Sequence, residues 1–298
     1  MSMLVGCGVT GDELAGDEAD LAQDTAELST KTPTLVLARR DYRKCSYPMC
    51  SGWYVKDLNG NGREQYVTGF DFRRSGLNLA TRDLVTGAGG DGELVLSGVL
   101  APNATYPSYQ VFQVRAAYRG MPGKKPAANE KFYAVEETTI RCITAPCATL
   151  RATEANYPGR QTMVNGIDVE RASVPRLDQT WLTSRIEKHD AIVSAKFTTV
   201  RRVGVGTEKL VDASQVFVKL PSLNDGCPLA RPAACPGTQL RVWERNEDRC
   251  LAPTSQCVPQ RACGVRLAAC AEGYTPVSWQ GTGPCQESAC DPSFAVRP

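Results

Sequence analysis

The chain has 298 residues, 42% of them apolar and 22% charged, and a net charge of +2. That length suits two or three domains, and no apolar run approaches the roughly 18 residues of a membrane-spanning helix. Two residue types exclude more: there is one histidine, His189, and there are thirteen cysteines with no CxxC spacing among them. A single imidazole removes His clusters for zinc and the HExxH pattern. Without CxxC, zinc-ribbon and thioredoxin-type readings lack their minimal spacing. No metal site and no cofactor is expected.

The N-terminus reads MSMLVGCG, and LVGC resembles the lipobox of bacterial lipoproteins. In that family the cysteine, here Cys7, becomes the acylated first residue of the mature protein. A secretory signal needs a basic start and about 7–15 apolar residues, so the true start codon is expected upstream, with residues 1–7 a remnant of the signal. The competing reading is a free cytosolic cysteine. Residues 8–32 follow as an acidic tether, whose stretch GVTGDELAGDEADLAQDTAELST carries seven acids and itself has neither basic nor aromatic residues. Such a segment buries too little apolar area to offset its ordering entropy. Removing seven negative charges from a chain of net +2 leaves the remainder at +9, a balance that suits an anionic partner or simply keeps the chain soluble.

Next comes an internal duplication. Residues 45–74 laid over 142–171, a constant shift of 97, give nine identities without a gap, from Cys45/Cys142 and Cys50/Cys147 through Asn59/Asn156 to Asp71/Asp168 and Arg74/Arg171. After an eight-residue slip, QVFQV (110–114) meets QVFVK (215–219). Two copies are therefore expected, 33–120 and 131–220, joined by a linker over 121–130. Copy one shows strand runs at LVLARR, GWYVKDL, EQYVTGFDF, GELVLSGVL and YQVFQVRAAY, bounded by turn residues. Copy two shows FYAVEETTI, ATLRATE, QTMVNGIDV, AIVSAKFTTV and SQVFVKL. VPRLDQTWLTSRIEK predicts a helix opening near Pro175, with Leu177, Trp181, Leu182 and Ile186 at helical spacing, and NLATRDLVT predicts a weaker one. The expected class is α+β and strand-dominated, with one short helix per copy and a small disulfide-rich tail.

Within each copy two cysteines stand five positions apart around a proline: Cys45 and Cys50 enclose SYPM, and Cys142 and Cys147 enclose ITAP. A disulfide needs Cα atoms about 4.4–6.8 Å apart, whereas five extended residues span about 17 Å. A proline-bearing turn between two strands would close that distance. The pairs read as staples, with a shared four-thiolate metal site as the alternative. RCITAPCATLRATEAN, with KCSYPMCSGWYV upstream, resembles a domain of unknown function in myxobacterial-type secreted proteins and lipoproteins, over about residues 33–220. The resemblance implies an envelope location and no assigned activity.

The tail, 226–291, holds the remaining eight cysteines: Cys227, Cys235, Cys250, Cys257, Cys263, Cys270, Cys285 and Cys290. They form a tandem, with a gap of 15 from Cys235 to Cys250 and again from Cys270 to Cys285. Halves of about 30 residues need staples, and four cysteines in each permit three pairings. The cysteine order distantly resembles antistasin-type protease inhibitor modules but lacks their C-x-C ending. A stalk or adhesion module is the competing reading.

Smaller motifs carry less. DLNGNGRE (57–64) echoes a calcium loop, but position twelve is Thr68 where glutamate is required, and Asn-Gly steps predict a hairpin. GAGGDG (87–92) opens a strand, not the helix of a dinucleotide site. Asp71 and Asp168 recur with Arg74 and Arg171 as surface or inward ion pairs, or as a carboxylate dyad. His189 reads as a solvated cation at a helix end. No basic stripe interleaved with aromatics points to nucleic acid.

Taken together, these features describe an exported cell-envelope protein, anchored in the outer membrane through a lipid on Cys7 or else extracellular. It would act as a non-catalytic binding or structural module toward a protein or an anionic envelope polymer. The alternatives are protease inhibition through the tail and an envelope hydrolase built on carboxylates.

Overall fold

A computed structural model describes residues 32–295, except 89, 205, 222–226, 228–229, 247–248, 260–268 and 284. Cys7, the acidic tether and Cys263 lie outside the described residues. Copy one comprises β1 (Thr34–Arg40), β2 (Trp53–Asp57), β3 (Gln65–Val67), β4 (Phe70–Asp71), α1 (Leu79–Thr86), β5 (Leu94–Pro102) and β6 (Gln110–Gly120). Copy two repeats the order with β7 (Lys131–Glu137), β8 (Leu150–Glu154), β9 (Gln161–Val164), β10 (Gly166–Asp168), α2 (Gln179–Glu187), β11 (Lys188–Arg202) and β12 (Gly206–Lys219). Among the described residues the protein is strand-dominated, with two short helices.

All twelve strands join one sheet, in the order β3-β2-β1-β5-β6-β12-β11-β7-β8-β9. The two halves mirror each other about the centre, where β6 and β12 pair antiparallel with Val218 opposite Arg119. Strand β4 adds parallel to β6, and β10 parallel to β12. The runs EQYVTGFDF and QTMVNGIDV therefore each divide into two short strands. Their glycines, Gly69 and Gly166, fall where the chain leaves one neighbour and joins another.

The sheet is strongly curled. In a flat sheet β1 and β7, five strands apart in the order, would lie about 24 Å from each other. Yet the Asn156 side chain accepts from Leu35 N at 2.7 Å and donates to Leu35 O at 2.8 Å. Asn59 does the same to copy two, accepting from Phe132 N and donating to Phe132 O, both at 2.8 Å. Each asparagine also donates across to the other copy's β2- or β8-end carbonyl, Leu58 or Ala155, at 3.1 Å. Both have positive φ, near 60° and 65°, a conformation asparagine tolerates better than other side chains. Curling encloses a second small core, with Val95, Tyr118, Ile192 and Phe217 packed against Leu58 and Ala155. The larger core lies on the other face, where Trp181, Leu182 and Ile186 of α2 pack with Phe112, Leu96 and Val193.

Both helices begin with an N-cap side chain that accepts from the third residue onward: Asn78 from Thr81 N and Asp178 from Trp181 N. Pro175 and Leu177 thus precede α2 instead of opening it, because Asp178 supplies the cap and its β-region backbone.

The last strands correct the expected eight-residue slip. Ser97 pairs with Ala116 and Gly98 with Val114, leaving Arg115 as an extra residue; Ser194 pairs with Gln215 and Ala195 with Ala213, leaving Ser214 extra. Bulge matches bulge at a shift of 99. The QVFQV/QVFVK match is out of register because alternating strand sequences resemble each other at several offsets, whereas a bulge occurs once.

Candidate functional site

Eleven described cysteines are disulfide-bonded. Cys45–Cys50 and Cys142–Cys147 are disulfides with Cα atoms 5.7 Å apart in both copies, within the β1–β2 and β7–β8 connections. The turns they close carry cis bonds at Tyr47–Pro48 and Ala145–Pro146. In the tail, Cys227 joins Cys250 and Cys235 joins Cys257. Cys270 joins Cys290, and Cys285 is also disulfide-bonded. The first half of the tandem therefore pairs first with third and second with fourth, and Cys270–Cys290 repeats the latter. Each half is a hairpin: β13 (Gln239–Arg245) with β14 (Leu251–Pro259), and β15 (Tyr274–Gln280) with β16 (Gln286–Pro292).

The recurrent acids do not meet. Asp71 lies opposite Gln113 on β6 and Asp168 opposite Asp212 on β12, at opposite ends of the central strand pair. Asp71 pairs with Arg73 at 2.8 Å, not with Arg74. Arg171 pairs with Glu130 and Asp212, at 2.9 and 3.1 Å, not with Asp168. Asp168 caps its own turn, accepting from Glu170 N, and faces a shallow cleft of about 410 Å³ with Glu170 and Glu208. Among the described residues no group of three or more His, Cys, Asp or Glu is placed to hold a metal ion. His189 sits at the α2–β11 junction, its Nδ1 3.7 Å from Glu136. DLNGNGRE forms the β2–β3 connection, and Asn59 within it bridges the copies.

A larger cavity, about 510 Å³, opens where both copies and the tail meet. Its floor is Arg115 and Ala116 of β6 beside Val218 and Lys219 of β12. One wall is Trp181 and Arg185 of α2, and Leu77 closes it from copy one. The tail supplies Arg249, Phe294 and Ala295. Four cations thus share the lining with one acid, Asp190, which lies 3.4 Å from Arg185 and 3.7 Å from Lys219. The bulge sets Arg115 at the floor, a common use of such irregularities.

The wall is rich in donors and short of acceptors. Arg115 Nε, Trp181 Nε1 and Arg249 Nε are all covered and without a hydrogen-bond partner. The Arg249 guanidinium lies over the Trp181 ring, 4.4 Å from its centroid. Burial, with Arg245 and Arg185 close by, pushes Arg249 down to about 10, so it remains charged at neutral pH.

Arg249 also docks the tail. It pairs with Asp178, the α2 N-cap, at 3.0 Å and with Asp291, which in turn takes Arg245. Cys290 N donates to Arg176 O at 3.1 Å, and Tyr274 hydroxyl to Pro122 O at 3.3 Å. The tail thus lies against the sheet domain as a wall of the cavity instead of projecting as a stalk. None of the cavity's cations was singled out by sequence. The signal was available at Arg115 opposite Ser214, but the mistaken slip of the last strand hid it.

Residues 34–222 match a domain of unknown function (DUF6748), and the chain belongs to that family. The match ends before the cysteine-rich tail. No curated protein and no solved structure matches the chain.

Proposed function

We propose that the protein is an exported cell-envelope protein, anchored in the outer membrane through a lipid on Cys7, that acts as a non-catalytic binding module. The observation that carries this reading is the distribution of cross-links. Five disulfides between described residues tie both sheet copies and both tail hairpins, a density that belongs to oxidising compartments. Among the described residues no helix is long and apolar enough to cross a membrane, and LVGC supplies an anchor of another kind. The resemblance to domains of secreted proteins and lipoproteins points the same way. Binding is supported by the cation-lined cavity, whose charge suits an anionic partner from the envelope, polymer or protein. The separation of Asp71 from Asp168 gives a carboxylate hydrolase no support.

Intact mass of native protein taken from the membrane fraction, before and after reduction and alkylation, tests the reading. Acyl mass on Cys7 and no free thiol on the other twelve cysteines is expected. Twelve free thiols would overturn it.

A further inference from the structure

The open cavity has a counterpart on the other side of the molecular pseudo-twofold, and that counterpart is filled. At the shift of 99, Arg115, Ala116, Leu220 and Pro221 correspond to Ser214, Gln215, Met121 and Pro122, and the mirrored bonds agree: Met121 N donates to Val216 O and Leu220 N to Ala117 O. From Met121 onward the linker occupies the counterpart. Met121 is 1% exposed. Gln215, fully buried, accepts from Met121 N at 3.1 Å and donates to Met121 O and Lys124 O at 3.2 and 2.8 Å. Ser214 Oγ accepts from Ala127 N at 3.1 Å and donates to Glu130. Gly120 allows this close approach, since a Cβ there would stand 2.8 Å from Gln215 Nε2.

The open site has exchanged each of these groups. Gln215, which reads peptide groups, is replaced by Ala116. Ser214 is replaced by Arg115, and Gly120 by Lys219. The helices correspond at a shift of 100 through their caps, so the buried Thr81 and Val85 of α1 are replaced by Trp181 and Arg185. Three neutral positions have become cations, one cation, Arg119, has become Val218, and the peptide-reading amide is gone. Trp181, Phe294, Leu77, Val218 and Leu220 leave an apolar lining beside the charge.

We propose that this cavity is a binding site for a small organic anion with an apolar body, a carboxylate carrying an aliphatic or aromatic tail, held by Arg115, Lys219 and Arg185 against Trp181 and Phe294. The inference deepens the binding role proposed above and depends on neither export nor anchor. Asp190 is the one acid on a lining that carries four cations, and it lies nearest Arg185 and Lys219; the excess positive charge favours a charged acceptor, and hydrogen bonds to charged groups are about twice as strong as neutral ones. Loss of the group that held the linker's amides disfavours peptide.

Calorimetric titration of the full chain with straight-chain carboxylates from acetate to decanoate, each beside its primary amide, is the test. Affinity should rise about fourfold per added methylene until the cavity is full. Each acid should bind about tenfold or more tightly than its amide. Arg115→Ser, which installs the counterpart's residue, should erase the preference for acid while leaving thermal unfolding unchanged; Lys219→Gln, farther from the bulge, should reduce it. Equal affinity for acid and amide, a preference that survives both substitutions, or no saturable binding by any member of the series would each overturn the proposal. So would binding of inorganic phosphate as tight as that of the longest acid. A chain found fully reduced would sink export and leave this titration standing; a failed titration would remove the ligand and leave export untouched.

Discussion

The two copies agree where they hold each other and differ where the chain's path differs. Asn59 and Asn156 clamp opposite partners with matching bonds, the Cys45–Cys50 and Cys142–Cys147 staples have the same Cα separation, and a bulge interrupts the same strand in each. At the ends of β6 and β12 the likeness stops. Met121 leads into a linker that seals one site; Leu220 leads toward the tail, and the matching site stays open. A duplicated fold begins with two equal sites, and the connection that joins its halves can occupy only one. The other is free to acquire different side chains.

The largest test of that contrast compares the plug with its mirror. Met121→Ala should cost about 2–5 kcal/mol, the range for truncating a buried methionine. Leu220→Ala, nearly as buried at 4% exposure but on the wall of a cavity already open, should cost less. Urea unfolding measures both, and equal losses would erase the distinction between filled and open sites.

Next come the clamps. Asn59→Ala and Asn156→Ala each strand a backbone amide and carbonyls of the opposite copy, so each should cost about 1–3 kcal/mol. The two values should agree closely, because the two clamps make matching bonds. A large inequality would show that the halves do not support each other reciprocally.

Comparable in size are the staples. Closing a five-residue loop constrains the unfolded chain by about 2 kcal/mol in the entropy account. Replacing Cys45 with Cys50, or Cys142 with Cys147, by serine should therefore lower stability by about that much. Cys235 with Cys257 closes a longer loop, 22 residues, and should cost about 3 kcal/mol. Thermal melts of the three double variants would reverse this order only if the tail hairpin folds without its bridge.

The smallest effect separates the copies by charge. Hydrogen bonds from Arg43, Arg39 and Arg73 hold Asp41, Glu64 and Asp71 of copy one below the ordinary carboxylate range. In copy two Arg151 does this to Glu136. Each carboxyl is more acidic folded than unfolded, so its contribution is complete above the unfolded values near pH 4 and is lost as pH falls through the folded values. Carboxyl-detected NMR titration should place Glu64 below its ordinary value and return it there in Arg39→Gln. An ordinary value in the unmodified protein would contradict the pairing.

Much of the architecture was legible because it is periodic or covalent. The shift of 97 located β1 to β5 on β7 to β11, and the spacing of Trp181, Leu182 and Ile186 located α2. The site was not legible, for two reasons. Arg115 is conspicuous only once the bulge aligns it with Ser214, and a bulge leaves no mark in an alternating strand sequence. Arg249 lies far along the chain, among cysteines that drew attention to cross-linking and away from the charge it brings to α2.

The sequence by itself determined that there are two copies, that cysteines staple their turns and that strands dominate, since local spacing and repeated residues encode these directly. Only the tertiary structure decided that the copies form one curled sheet, which tail cysteines pair, and that one of two equivalent sites is sealed while the other is open and cationic. Those outcomes depend on which distant segments meet, and a linear order of residues specifies that only through the packing of the whole chain.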